Sequence, residues 1–296
     1  MHNGRATLQR ALHLISFDPV ISAVAALISN ADIARIARDV VIADPFNERD
    51  HLRAAFDMIA PGKFLDAGRA IEHQLWCACR EARWRSGTLG CELPLRVSNA
   101  HYLQETSGHP TIVIAPMTMR LGDASSTVRR VFAERPVIFY GEEVDSGTLG
   151  AGFDGAQVAG DGLTAVRRIE SVLRSGGILC TYADFAYLGH AAREMTLFGR
   201  SRPVASGLLT LAVRFGAMLL PMVALRNGDG IHVVVQEPIR LEGGGPRLRG
   251  DDKQLAMDAV AGAIAESLES LIRLAPQQWL LLATLTFEAP QMAPAS

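Results

Sequence analysis

Apolar positions along the chain fall into two regimes. Over residues 5–90 they recur three and four apart: Leu8, Leu12 and Ile15, then Ile33, Ile36 and Val40. That spacing predicts helices, punctuated at Pro45, Pro61 and Gly62. The strongest helix is predicted over 67–84, where Ile71, Leu75, Ala78 and Ala82 share one face. Ser86-Gly87 and Leu89-Gly90 break it. From about residue 91 the pattern changes to short, continuous apolar runs.

These runs read as buried strands: 111–115 (TIVIA), 136–140 (PVIFY), 177–181, 217–225 and 231–236. Pro116 ends the first. Helical patterns lie between them, at 123–134 with Asp123 or Ser125 as N-cap, at 164–174 and at 206–215. A long amphipathic helix follows at 255–274, capped by Asp251 or Asp252, with Val260, Ile264, Leu268, Leu271 and Ile272 inward. Asn227-Gly228-Asp229-Gly230 predicts a hairpin between the last two strands. Residues 141–162 and 243–252 read as loops. Strands alternating with helices give an α/β fold. Its sheet is mixed, mainly parallel and flanked by helices, with an N-terminal helical region over 1–65 and the α/β domain over 66–296. No internal repeat is visible.

A chain of 296 residues can bury a full core. With 49% hydrophobic residues, 20% charged and a net charge of −2, it has no electrostatic footprint for nucleic acid. Cys77, Cys79, Cys91 and Cys180 form no disulfide framework, which points to a reducing, cytoplasmic setting. The start, MHNGRATLQR, lacks a signal-peptide pattern. The apolar run 20–28 is shorter than the roughly 20 residues that a bilayer crossing needs. A peripheral membrane contact stays open.

Open α/β sheets bind ligands beyond the carboxyl ends of their strands, so chemistry-bearing residues there carry most weight. Arg120 follows the first strand and could bind a phosphate or carboxylate bidentately. Asp184 follows the third. Gly150 to Gly155 fits G-x-G-x-x-G, but it neither directly follows a strand nor opens a helix, so it is not read as a dinucleotide site. His73 and Cys77 share a helix face without enough partners for a metal, and read as packing residues. No metal site is expected. Cys180, inside an apolar strand, reads as a small buried hydrophobe.

Four pieces, in order, resemble the lysophospholipid acyltransferase superfamily, in particular its bacterial lipid A late-acyltransferase branch. They are Ala165-Val166-Arg167-Arg168 through Leu173-Arg174-Ser175-Gly176-Gly177; Tyr182-Ala183-Asp184; Leu197-Phe198-Gly199-Arg200; and Leu274-Ala275-Pro276-Gln277-Gln278-Trp279. The resemblance implies transfer of an acyl chain from a carrier-protein or coenzyme A thioester to a hydroxyl or amine. It implies a phosphopantetheine or CoA donor and no tightly bound cofactor; the lack of a membrane-spanning run in the sequence points to a soluble or carrier-bound small-molecule acceptor. The family's hallmark is His-x4-Asp/Glu after the first core strand, a general base with an orienting carboxylate. Here Asp123 can stand at the acidic position, but Thr118 stands five residues before it, and an ungapped strand alignment puts Met117 at the histidine's place. The hallmark imidazole is missing. On this resemblance Asp123, His190 as substitute base and Thr118 are the expected catalytic residues. Arg120, Asp184, Gly199 and Arg200 are the expected substrate-binding ones. A non-catalytic relative that binds an acyl chain, carrier protein or partner, and an enzyme of another reaction on a carrier-bound substrate, are the alternatives.

Overall fold

The computed structural model describes residues 11, 12, 14, 15, 18–45, 48–88, 93–140, 156–159, 163–184, 192–241 and 249–286. Three helices lead in: α1 (Pro19–Ala25), α2 (Asn30–Ala43) and α3 (Arg49–Ile59). Asp18 accepts from the Val20 and Ile21 amides to start α1, and Ser29 accepts from the Asp32 amide to start α2. Each satisfies amides that have no partner in the first turn. Next, α4 (Ala67–Arg85) starts at Asp66. Its predicted face of Ile71, Leu75, Ala78 and Ala82 is buried, and so are His73, Gln74, Arg80 and Glu81. The helix is enclosed because α2 packs on one side and the α/β core on the other.

The remaining helices are α5 (His101–Glu105), α6 (Leu121–Val131), α7 (Leu163–Arg174), α8 (Ser206–Phe215) and α9 (Gly250–Leu274). The strands are β1 (Leu95–Ser98), β2 (Thr111–Ala115), β3 (Val137–Tyr140), β4 (Ala156–Ala159), β5 (Ile178–Tyr182), β6 (Ala192–Leu197), β7 (Arg200–Ala205), β8 (Met218–Asn227) and β9 (Gly230–Val235). Seven form one sheet in the order β1-β9-β8-β2-β5-β3-β4, and β6 and β7 form a separate antiparallel pair. Within the large sheet every neighbouring pair is parallel except β8 with β9. The fold is thus α/β with a mixed, mainly parallel sheet, as the alternation of strands and helices predicts.

Two crossovers fix where a ligand would meet the sheet. The chain leaves β2, passes over β5 and enters β3; later it leaves β5, passes over β2 and enters β8. Right-handed crossovers running in opposite directions place their helices on opposite faces. Accordingly α6 packs with Val113, Phe139, Cys180 and Met222. On the other face Leu208, Leu209 and Ile264, from α8 and α9, pack with Ile112, Ile114, Leu179 and Leu219. Strands β2 and β5 lie side by side at the point where direction reverses, in register from Thr111 against Ile178 to Ala115 against Tyr182.

Several boundaries differ from the sequence reading, each for a local reason. Helix α6 starts at Leu121 with Arg120 as its N-cap residue, and Asp123 stands in its first turn rather than capping it. Glu81 reaches across from α4 and accepts from the Gly122 amide at 3.0 Å, so the cap comes from another helix. Ser125 does not cap either; its hydroxyl donates to the Gly122 carbonyl. Helix α9 starts from Arg249, with Asp251 and Asp252 in its first turn, where they favour the positive end of the helix dipole. Strand β4 falls in a stretch read as loop, and the β6–β7 hairpin was not anticipated. Residues 227 and 230 close the β8–β9 hairpin, as the Asn-Gly-Asp-Gly turn predicts.

Candidate active site at the exits of two central strands

The segment leaving β2 is gripped by α4. His73 Nε2 lies 2.8 Å from the Thr118 carbonyl oxygen, with Cys77 Sγ 3.5 Å from the same nitrogen. One turn further along, Arg80 donates twice to Asp123, each bond 2.6 Å long, and both side chains are buried. A bidentate pair of this kind is strong and directional. Gly122 is small of necessity: a Cβ there would lie 2.6 Å from the Trp84 ring. The Thr118 hydroxyl donates to the Ala224 carbonyl at 2.7 Å, so it ties β2's exit to β8.

Desolvation sets the titration of this cluster. Burial pushes the His73 imidazole down to about 4 and the Cys77 thiol well up, so both are neutral near pH 7. Burial also raises Glu81. Arg120 sits just before α6, mostly buried, with a guanidinium held below the usual arginine value by burial and Glu81 as its main counter-charge. Its Nε has no hydrogen-bond partner among the described residues.

Strand β5 ends differently. Asp184 is buried, and one carboxylate oxygen accepts from the Met117 amide at 2.9 Å and from the Trp279 indole at 2.6 Å. The Leu280 amide in turn donates to the Met117 carbonyl at 2.8 Å. The carboxylate thus knots the exits of β2 and β5 to the turn Pro276–Gln278 that follows α9. Its other oxygen, Oδ1, is buried and has no hydrogen-bond partner among the described residues. Burial lifts the carboxyl to about 6, and Met117, Trp279, the residue's own amide and the nearby Arg202 charge only partly offset this.

The Phe198-Gly199-Arg200 motif forms the tip of the β6–β7 hairpin. Phe198 and Gly199 take φ of 50° and 73°, the left-handed geometry of a two-residue turn. That conformation is unusual for phenylalanine, and three contacts hold it. Its amide donates to Glu269 at 2.6 Å, Arg273 lies over its ring, and the Trp279 ring is 6.2 Å away. Arg200 is exposed. Arg202, further along β7, donates to the Thr284 carbonyl while its Nε lacks a partner.

Between α6 and the sheet lies an apolar cavity of about 30 Å³, lined by Val113, Thr127, Phe139, Cys180 and Met222 among others. That is room for a water or two, far short of a fatty tail. Among the described residues no three His, Cys, Asp or Glu side chains gather to hold a metal.

Of the expected site residues, the structure brings Asp184 to the β2 exit, with Thr118 and Asp123 along the same segment, but bonds Thr118 and Asp123 inward. Arg120 stands at that exit with a free Nε. Gly199 and Arg200 lie on the hairpin, connected to Asp184 through Phe198 and Trp279. His190 and the Gly150–Gly155 motif lie outside the described residues. Sequence reasoning missed Arg80, Glu81 and the contact of His73 with the strand exit. The available signal was their spacing: His73, Cys77, Arg80 and Glu81 stand at i, i+4, i+7 and i+8 and so share one face of the helix.

Residues 157–285 match the family model described as bacterial lipid A biosynthesis acyltransferase. No curated protein matches the chain. The matched stretch runs from β4 to the last turn and contains Asp184, the hairpin and Trp279, which the structure joins into one contact chain. Through that stretch, somewhat under half its length, the chain is related to the lysophospholipid acyltransferase superfamily, in its lipid A acyltransferase-like branch.

Proposed function

We propose that this protein moves an acyl group from a carrier-protein or coenzyme A thioester to an amine or hydroxyl of a small molecule, in a biosynthetic pathway. One observation carries the reading. The family-matched segment delivers a buried carboxylate with a free oxygen to the point where β2 and β5 part. Arg120, with its unbonded Nε at the same exit, is suited to the donor's phosphate or to an oxyanion. Gly199 and Arg200 would flank the acceptor, and His190 remains a candidate base. Thr118 and Asp123 would shape the exit rather than move protons, since their polar atoms are already bonded.

The donor thioester is a substrate, so no tightly bound cofactor enters the reading. A cytoplasmic setting fits the free thiols. Among the described residues no single helix is long and apolar enough to span a bilayer. Peripheral membrane contact is compatible with the exposed Val20, Val24 and Leu27 around α1.

Incubation with acyl-carrier and acyl-CoA thioesters and a panel of amines and alcohols, followed by product mass, tests the proposal. Acylated acceptor is the expected result. A second reading, a non-catalytic binding relative, is favoured by the inward bonding of Thr118 and Asp123; tight donor binding without any product would establish it. Thioester hydrolysis without acceptor dependence would instead point to another reaction type.

A further inference from the structure

We infer that Asp184 is the proton acceptor of this acyl transfer, taking the task that an imidazole after β2 performs elsewhere in the superfamily. The inference rests on the acyl-transfer reading and deepens it. Three observations carry it. First, position: Asp184 is bonded directly to the amide of Met117, the residue that an ungapped alignment places where the missing histidine belongs. Second, preorganisation: Oδ2 is held by two donors on different elements, Met117 N and Trp279 Nε1, so the carboxylate cannot swing away. Third, availability: among the described residues no donor lies within hydrogen-bond geometry of Oδ1, in a protein interior where such an atom is costly unless it has a use.

The chemistry balances without a further reagent. The acceptor's nitrogen or oxygen attacks the thioester carbon and forms the new C–N or C–O bond. Its proton passes to Asp184 Oδ1, the C–S bond breaks, and the proton goes from Asp184 to the leaving sulfur. Products are the acylated acceptor and the free thiol. A carboxyl lifted to about 6 by burial is a better base than an ordinary aspartate and is still ionised at pH 7. Among the described residues the charged group that faces it is Arg202 on β7. The segment after β2 presents only the Met117 amide, and the turn after α9 only the Trp279 indole. His73, from α4, reaches the adjacent Thr118 and is neutral above about pH 4.

The test is acyl transfer by wild type, Asp184→Asn and Trp279→Phe, measured against pH with one productive acyl thioester and amine. Asn keeps an oxygen for both donors and removes the basic site. The expected loss in kcat is 100-fold or more, within the usual range for a general base, with thioester affinity unchanged. Wild-type kcat should rise through an acidic limb near pH 6. Trp279→Phe removes a donor to the charged form, so that limb should move upward; a purely structural carboxylate would leave it in place. Asp184→Asn with near-wild-type kcat and an unchanged limb overturns the inference alone. Wild type without acyl transfer to any acceptor overturns the underlying reading, and the inference falls with it.

Discussion

The exits of β2 and β5 lie side by side at the reversal point of one sheet, yet their carboxylates are treated in opposite ways. Asp123, just past β2, is saturated by a bidentate arginine. Asp184, just past β5, is held by one oxygen and left open at the other. A paired buried charge stabilises a specific geometry; an under-satisfied one keeps a reactive atom in reserve. The difference teaches that two neighbouring strand exits can bury a carboxylate in two ways, one closed by a partner and one with an oxygen left open among the described residues; on the proposed function, the second is the one suited to chemistry.

The largest effect should come from breaking the saturated exit. Arg80→Ala leaves Asp123 buried without a partner and should cost about 3–5 kcal/mol in urea unfolding. Replacing both partners with apolar residues, Arg80→Met with Asp123→Leu, should recover most of that loss. A double variant as unstable as the single one would mean that the pair does more than satisfy itself.

Next in size is the pH dependence of stability. The His73 folded-state value of about 4 lies below its ordinary 6.5. Its contribution is therefore complete above pH 6.5 and is lost as pH falls through 4, by on the order of 3 kcal/mol. Asp184 works the other way, since its value is raised to about 6. Its contribution is complete below pH 3.8 and is lost as pH rises through 6. The two oppose each other between about 4 and 6. Stability measured between pH 4 and 7 in Asp184→Asn should therefore fall more steeply on acidification than in wild type. Equal slopes would contradict the assignment.

Gly122→Ala sets a methyl group against the Trp84 ring where α4 meets α6, and overpacking should cost about 1–3 kcal/mol by thermal melt. Arg120→Gln should be the mildest change. The Arg120 Nε has no hydrogen-bond partner among the described residues, and Glu81 keeps its bonds to the Gly122 amide and Arg85, so the cost in stability should be no more than about 1 kcal/mol. Binding of the thioester donor should weaken instead. A large loss of stability would place Arg120 with the scaffold.

Much of this architecture was legible in the residues. The runs TIVIA and PVIFY are unmistakable as buried strands because both of their faces are covered. The short edge strand β1 was missed because LRVS is half-exposed and carries an arginine. The hairpin β6–β7 was missed because AREMTL alternates weakly and its turn uses a phenylalanine at positive φ, which only tertiary contacts to Glu269, Arg273 and Trp279 sustain. The site was partly legible: Asp184 and Trp279 stand in recognisable motifs, but their mutual bond crosses 95 positions. The Arg80–Asp123 pair could not be read, because nothing in a helical pattern tells which distant carboxylate a buried arginine will meet. The same limit made Asp123 look like a cap, whereas Glu81 supplies it.

The most direct test needs no substrate. Side-chain carboxyl carbons of aspartate can be followed by 13C NMR across pH 3 to 8, with the Asp184 signal assigned by its disappearance in Asp184→Asn. The account predicts a midpoint near pH 6, as expected of a buried carboxylate with one unbonded oxygen. A midpoint at or below the ordinary aspartate value of about 3.9 would mean that Asp184 is fully satisfied in its charged form, and the contrast between the two strand exits would collapse.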